Sequence, residues 1–170
     1  MPSKPTLLLS LFLPAFLAWT VPAWADSYQD GAAAFERGDG ETALQLLQPA
    51  AEGGHSGAQS MIGAILLEGR GTPKDEVQAA KWLARAAERG DGDALFNLGL
   101  AYDKGLGVAQ DYIQAYKFYS LASASLSSSK PAIADRALKN RSLMAAKMPP
   151  HNVAAAKRLV QSWMPKAAQP

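Results

Sequence analysis

Apolar residues recur through most of the chain at intervals of three and four positions, which is the spacing of one face of an α-helix. The clearest stripe follows the i, i+3, i+4, i+7, i+8 rule, and its members are Ala79, Trp82, Leu83, Ala86 and Ala87. Alanine is abundant and only 8% of the residues are aromatic. Because small side chains let helices approach closely, the pattern predicts an all-α fold.

The helical pattern repeats every 36 residues. When the segment from Ala58 is aligned on the segment from Ala94, nine positions are identical, including two glycines in each turn. A shorter copy precedes these two, because the apolar positions from Ala43 to Gly54 lie 36 residues before those from Ala79 to Gly90. Phe35 and Gly38 then match Tyr102 and Gly105 only if five residues are missing from the turn of the first unit.

Each unit is predicted to contain two helices. Glycines end the first helix, and Asp75 or Asp111 caps the start of the second. Gln78 and Gln114, three residues further on, would complete a variant of the capping box. Gly99, on the first helix of the third unit, is expected to leave room for the backbone of a neighbouring helix.

The pentapeptide ERGDG occurs twice, at 36–40 and at 88–92. The first copy is predicted to be the turn inside the first unit, and the second the turn between the second and third units. In each, glycine would take the left-handed position that ends a helix, and Asp39 or Asp91 would cap the next helix. Both copies are therefore interpreted as helix boundaries and not as receptor-binding Arg-Gly-Asp sites.

With these residues, the chain resembles the Sel-one-like repeat family, which is related to the tetratricopeptide repeat. The family's spaced positions are present in the third unit as Ala94, Leu98, Gly99, Tyr102, Gly105, Gly107, Val108, Asp111, Ala115, Phe118 and Ala122. The second unit departs from the pattern at Leu66 and Thr72, and the first is closer to a plain tetratricopeptide unit. The resemblance implies an α-α superhelix, or solenoid, of three helix-turn-helix repeats at about 27–55, 56–91 and 92–126.

Residues 127–164 fall outside the repeat and are predicted to form a helical cap. One helix would begin at Pro131 and end before Pro149. A second would direct Val153, Ala156, Leu159, Val160 and Trp163 inward and would stop at Pro165. Such a cap is needed because the end of a solenoid exposes apolar surface. Residues 165–170 are expected to be a loose tail.

The first 25 residues are predicted to be a signal peptide. Lys4 precedes an apolar run from Leu7 to Leu17, and Ala23 and Ala25 have the spacing that signal peptidase accepts. The run is too short to span a membrane. Cleavage after Ala25 would leave a periplasmic or secreted chain of residues 26–170 without an integral membrane segment, expected to be a monomer.

The charge of this mature chain is divided. Residues 26–111 carry 14 acidic and 7 basic side chains, and residues 112–170 carry 1 acidic and 9 basic side chains. Either the basic helices contact the acidic repeat body, or they remain free for a partner or a membrane surface.

No catalytic or metal-binding signature is present. The chain lacks cysteine, which excludes thiol catalysis and zinc knuckles. His55 is expected to be a turn residue equivalent to Asp91, and His151 has no partner in sequence. The chain is therefore predicted not to be an enzyme, and no cofactor, metal or nucleic acid is expected.

Protein binding is the function that this reasoning favours, through the concave face formed by the first helix of each unit. If Ala94, Leu98 and Tyr102 are buried, a rotation of 100° per residue directs another set of side chains to this face. The partner-binding residues predicted in this way are Asp30, Arg37, Ser60, Met61, Glu68, Phe96, Asn97, Leu100, Asp103 and Lys104. Phe96, Met61 and Leu100 would either hold an extended peptide, with Asn97 bonding its backbone, or contact a neighbouring helix or the cap.

The sequence thus predicts a non-catalytic extracytoplasmic adaptor or regulatory subunit with a protein or extended-peptide partner. A peripheral membrane module that uses the basic C-terminal half is the first alternative. A hydrolase acting on cell-wall material or on a β-lactam is the second; the secreted relatives credited with such activity are rich in cysteine, which this chain lacks.

Overall fold

The computed structural model describes residues 24–163 and residue 165, and every regular element in this part of the chain is an α-helix. The helices are α1 Trp24–Glu36, α2 Gly40–Glu52, α3 Ser56–Glu68, α4 Glu76–Glu88, α5 Gly92–Lys104, α6 Tyr112–Leu126, α7 Pro131–Lys147 and α8 Pro150–Gln161. The predicted signal peptide and the predicted tail lie outside the described residues, apart from Trp24, Ala25 and Pro165.

Successive helices pack against one another from α1 to α7, and α8 packs on α6. The first helices of the units also meet, since α1 contacts α3 and α3 contacts α5. Buried apolar side chains form two clusters, one from Ala34 to Ile65 and one from Leu67 to Ala156. The predicted all-α solenoid with a C-terminal helical cap is confirmed.

Acidic caps begin the helices where the sequence predicts them. The carboxylates of Asp39, Asp75, Asp91 and Asp111 each accept a hydrogen bond from a backbone N–H two or three residues later. The glycine before Asp39 has φ 79° and the glycine before Asp91 has φ 83°, so both ERGDG copies end one helix in the left-handed region and start the next. Their interpretation as helix boundaries is confirmed.

The backbone N–H groups of the two capping aspartates are not bound in the way that the predicted capping boxes require. The N–H of Asp75 donates to the carbonyl of Leu66 at 3.0 Å, and the N–H of Asp111 donates to the carbonyl of Tyr102 at 2.9 Å. These bonds tie the start of each second helix to the first helix of the same unit. Gln78 and Gln114 therefore do not have the role that was predicted for them.

In each unit, a glycine of the first helix lies against a side chain of the second helix. This contact shows that the predicted alignment of the first unit was wrong by one residue. A Cβ on Gly31, Gly63 or Gly99 would lie within 3 Å of the side chain of Leu47, Leu83 or Tyr119, respectively. These three contacted residues are 36 positions apart, so the three glycines are equivalent. Residues 37–39 alone separate α1 from α2, whereas residues 69–75 separate α3 from α4. Four residues are therefore missing from the first turn and not five, and Gly99 makes room for a side chain and not for a backbone.

The C-terminal helices begin and end close to the predicted positions, with Pro131 and Pro150 at helix starts. Ala156 is fully buried, and Val153, Val160 and Trp163 pack partly buried against the second cluster. Leu159 was predicted to point inward, but it is 36% exposed. Trp82 is also only partly buried, with the Arg85 guanidinium 4.8 Å from its ring centroid.

Candidate functional site

The first helices of the three units line one groove, which we call the inner groove. It has a volume of about 440 Å³, and the start of α7 contributes to its lining. Its lining consists of Tyr28, Phe35 and Glu36 of α1; Gly57, Ser60, Met61, Ala64 and Glu68 of α3; Asp91, Asp93 and Asn97 at the start of α5; and Lys130 and Ile133. Residues far apart in sequence meet here because α1, α3 and α5 lie side by side.

Four of the ten residues predicted to bind a partner line the inner groove: Ser60, Met61, Glu68 and Asn97. Met61 and Asn97 are partly exposed, and Glu68 is exposed. Ser60 is only 5% exposed, so its side chain contributes to the wall more than to the open surface.

Four further residues of that prediction lie outside the groove lining. Asp30 and Arg37 are exposed on α1 and just after it, and Lys104 is exposed at the end of α5. Leu100 is partly buried on α5. These positions follow the predicted helical face, but the structure does not bring them together with Met61 and Asn97.

Phe96 and Asp103 require a correction, because both are buried. The Phe96 ring lies 5.7 Å from the Tyr119 ring, and the Arg136 guanidinium lies 5.2 Å from its centroid. The Lys147 ammonium donates to the Asp103 carboxylate at 3.2 Å. Helix α7 therefore covers this part of the inner face, which is the alternative that the sequence left open for Phe96.

The basic C-terminal helices use several of their cations in this docking. Lys130 pairs with Asp93 at 2.5 Å and Lys147 pairs with Asp103, while Arg141 lies 6.0 Å from the centroid of the Tyr116 ring. The divided charge of the sequence thus holds the cap against the acidic repeat body. Part of the positive charge stays on the surface, since Lys139, Lys157 and Arg158 are exposed.

Asp91 is a groove residue that the sequence identified only as a helix cap. Its carboxylate accepts a hydrogen bond from the N–H of Ala94 at 2.9 Å, and the Ser60 side chain lies close enough to lower its pKa. Burial, reinforced by the neighbouring charge of Asp93, raises the pKa of Asp91 above the ordinary value of 3.8. The position of Asp91 at the start of a first helix was the available signal, because those starts converge on the inner face.

Tyr28 lines the groove, and His55 packs against Tyr28. Their rings lie 4.1 Å apart, and the His55 Nδ1 accepts a hydrogen bond from the N–H of Ala58 at 3.2 Å. Burial, followed by the charge of Asp91, raises the pKa of the Tyr28 hydroxyl. His55 thus lies at the unit boundary equivalent to Asp91, as predicted, and it also caps α3, which was not predicted.

Neither a metal centre nor a membrane span is found in residues 24–163. No three His, Asp or Glu side chains of this region lie where they could hold a metal ion. None of its helices is long and apolar enough to cross a membrane.

Comparison with known proteins gives one family match. The sequence model of the Sel1 repeat matches three segments, residues 23–55, 56–91 and 92–125. These segments together span more than half of the 170 residues. Among curated proteins, none matches the chain significantly.

The solved structures that are similar to the chain include the following two. One is a protective antigen present in uropathogenic Escherichia coli strains, which displays an SLR fold; it is 30% identical with a TM-score of 0.71, over 82% of this chain and 29% of that chain. The other is a Sel1 repeat protein from Oxalobacter formigenes, which is 33% identical with a TM-score of 0.55, over 59% of this chain and 40% of that chain. The chain therefore spans less than half the length of either protein.

Proposed function

Because the chain belongs to the Sel1 repeat family, we propose that it is a non-catalytic adaptor or regulatory subunit that binds a protein partner outside the cytoplasm. The Sel1 repeat fold is a protein–protein interaction module, and proteins of this type are generally scaffolds without catalytic activity. The observation that carries the proposal is the inner groove, where three repeats leave apolar and polar side chains accessible on one continuous surface.

The groove suits an extended segment of a partner. Its volume of about 440 Å³ lies within the range of about 300–1,000 Å³ that is usual for ligand pockets. Phe35, Met61 and Ile133 supply apolar contact area, while Asn97 supplies an amide that can both donate and accept hydrogen bonds. An extended peptide needs this combination, because its side chains are anchored by packing and its backbone by hydrogen bonds.

The extracytoplasmic location rests on the N-terminal sequence. Lys4, the apolar run from Leu7 to Leu17 and the alanines at 23 and 25 together favour export and cleavage. N-terminal sequencing of exported material should begin at Asp26. Intact Met1 in a membrane fraction would contradict this part of the proposal.

Affinity capture tests the binding function. The mature chain is immobilised, exposed to an extracytoplasmic extract, and its retained proteins are identified by mass spectrometry. Met61→Ala and Asn97→Ala should each lower the retained amount of the partner, because both side chains line the groove. Val77→Ala is the control, since Val77 is 54% exposed on α4 and does not line the groove. If all three variants retain as much of the partner as the unmodified chain does, the groove is not the binding surface.

The outer surface of α7 favours a second candidate, which is binding to an anionic membrane surface. Leu138 is 39% exposed and Leu143 is 51% exposed, and the neighbouring Lys139 is exposed as well. Co-sedimentation with anionic liposomes tests it, and a Lys139→Glu chain that still sediments would contradict it. A hydrolysis assay on cell-wall material and on a β-lactam tests the remaining alternative.

A further inference from the structure

Resting on the proposed function, we propose that the inner groove selects a cationic segment: an extended peptide with a Lys or Arg side chain next to an apolar side chain. The proposal concerns the chemistry of the partner, which the fold alone does not specify. It follows from the charges in the groove, from a cation of the chain that already lies there, and from the apolar side chains that share the lining with these charges.

Acidic side chains reach the groove from all three units. Glu36 comes from α1, Glu68 from α3, and Asp91 and Asp93 from the start of α5, whereas Lys130 is the single cation among the lining residues. These carboxylates are spread over 57 positions of the sequence, so only the stacking of the repeats brings them to one surface. A partner with acidic side chains would meet like charges along the whole groove.

Lys130 shows how a cation is accommodated at this wall. Its ammonium, just before the start of α7, lies 2.5 Å from the Asp93 carboxylate, and both residues line the groove. Glu68 is likewise engaged by Arg70, from just outside the lining. Two of the four carboxylates thus already contact cations of the chain, and Glu36 and Asp91 remain as the acidic side chains that an incoming cation would meet.

Asp91 is the stronger attraction of these two. It is partly buried, and its bond from the N–H of Ala94 holds its carboxylate at the start of α5 in the groove wall. A charge with restricted access to water interacts more strongly with an opposite charge than an exposed one does. A Lys or Arg side chain at this point would offset the cost of burying the carboxylate.

The apolar part of the partner is fixed by the neighbouring side chains. Phe35, Met61 and Ile133 belong to the same lining as the acidic side chains. The long aliphatic stem of Lys or Arg can pack on such side chains while its charged end reaches a carboxylate. The groove thus matches a basic residue with an apolar neighbour, and not a run of basic residues alone.

Selection from a random heptapeptide library on the purified mature chain tests the proposal. The selected peptides should be enriched in Lys or Arg at one position beside an apolar residue, and they should be depleted in Asp and Glu. In the best binder, replacement of the basic residue by norleucine should raise the dissociation constant about tenfold, which is the effect of losing one charge-assisted contact.

A charge-matched pair of variants separates the groove from general attraction to an acidic protein. The variant Glu36→Gln with Asp91→Asn should lose most of the preference for basic peptides, and Asn keeps the capping ability of Asp91. The control Glu41→Gln with Asp135→Asn removes the same charge at exposed sites that do not line the groove, and it should keep the preference. Circular dichroism of both variants checks that they are folded.

Three results would overturn the inference. If selected peptides compete for the groove but show no basic preference, or if both double variants lose that preference equally, the charge selection is wrong while the proposed function stands. If no peptide is selected and affinity capture is also insensitive to Met61→Ala and Asn97→Ala, the proposed function fails as well.

Discussion

The inner face of this repeat protein is open along units one and two, whereas in unit three the start of α5 is open and α7 covers Phe96 and Asp103. On α3, Ser60 and Met61 both line the inner groove, whereas on α5 the residue equivalent to Ser60 is Phe96, which is buried beneath α7 and does not line the groove. The change occurs between neighbouring residues, because Phe96 packs under α7 while Asn97 lines the groove. The repeat thus determines which face is inner, and the helices outside the repeat determine how much of that face a partner can reach.

Among the changes considered, removal of α7 and α8 should have the largest effect, because it would uncover the inner face of unit three. A chain truncated after Ser129 would expose Phe96, Tyr116 and the rest of the apolar surface of unit three. We expect partial unfolding or aggregation, measured by circular dichroism and gel filtration. If the truncated chain melts as cooperatively as the mature chain, unit three does not depend on its cover.

Alanine substitutions at one covered and one open position of the inner face should differ in their effect on the free energy of unfolding. Phe96→Ala should lower the free energy of unfolding by about 3–5 kcal/mol, the range for removing a buried aromatic side chain. Met61→Ala should lower it by about 1 kcal/mol, as expected at a partly exposed site. Urea denaturation measures both values, and similar losses for the two variants would mean that Met61 is covered like Phe96.

The aspartates of the two ERGDG copies, Asp39 and Asp91, should make the stability of the fold depend on pH in opposite directions. Hydrogen bonds from Thr42 lower the pKa of the exposed Asp39, while burial raises the pKa of Asp91 in the groove wall, both relative to 3.8. A lowered carboxyl pKa contributes stability above the unfolded value, which is lost as pH falls through the folded pKa. A raised pKa has the reverse effect, so stability is lost as pH rises from 3.8 through the folded pKa of Asp91.

The variants Asp39→Asn and Asp91→Asn, each compared with the unmodified chain, test these opposite pH trends, because each removes one of the two titrating carboxyl groups. Between acidic and neutral pH, Asp91→Asn should become relatively more stable and Asp39→Asn relatively less stable. Thermal unfolding at several pH values measures the two trends. Parallel trends for the two variants would mean that Asp91 is as accessible to water as Asp39.

Features that depend on near neighbours could be predicted from the sequence. Asp75, Asp111 and the two ERGDG turns were assigned correctly because a cap and its helix are adjacent in the chain. The capping boxes were wrong because the carbonyl of Leu66, nine residues away, binds the N–H of Asp75. The first turn was given five missing residues because the equivalence of Gly31 with Gly63 shows only in their contacts.

The candidate site was predictable only in part, for a similar reason. Met61, Glu68 and Asn97 could be found because helical periodicity assigns residues of a repeat to a face. Phe96 and Asp103 could not be separated from them, since α7 does not share the repeat and its docking position is not encoded in the 36-residue spacing. Asp91, Tyr28 and Lys130 reach the groove from helix starts, which a calculation of helix faces does not include.

Site-specific photo-crosslinking tests most directly whether the open part of the inner face is the binding surface. A photoreactive amino acid is placed at Met61 in the groove, at Val77 on α4, or at Leu138 on α7, and each chain is irradiated in the presence of the captured partner. We predict a covalent adduct with the partner from position 61 and none from positions 77 and 138. An adduct from position 138 without one from position 61 would contradict the account and would move binding to the C-terminal helices.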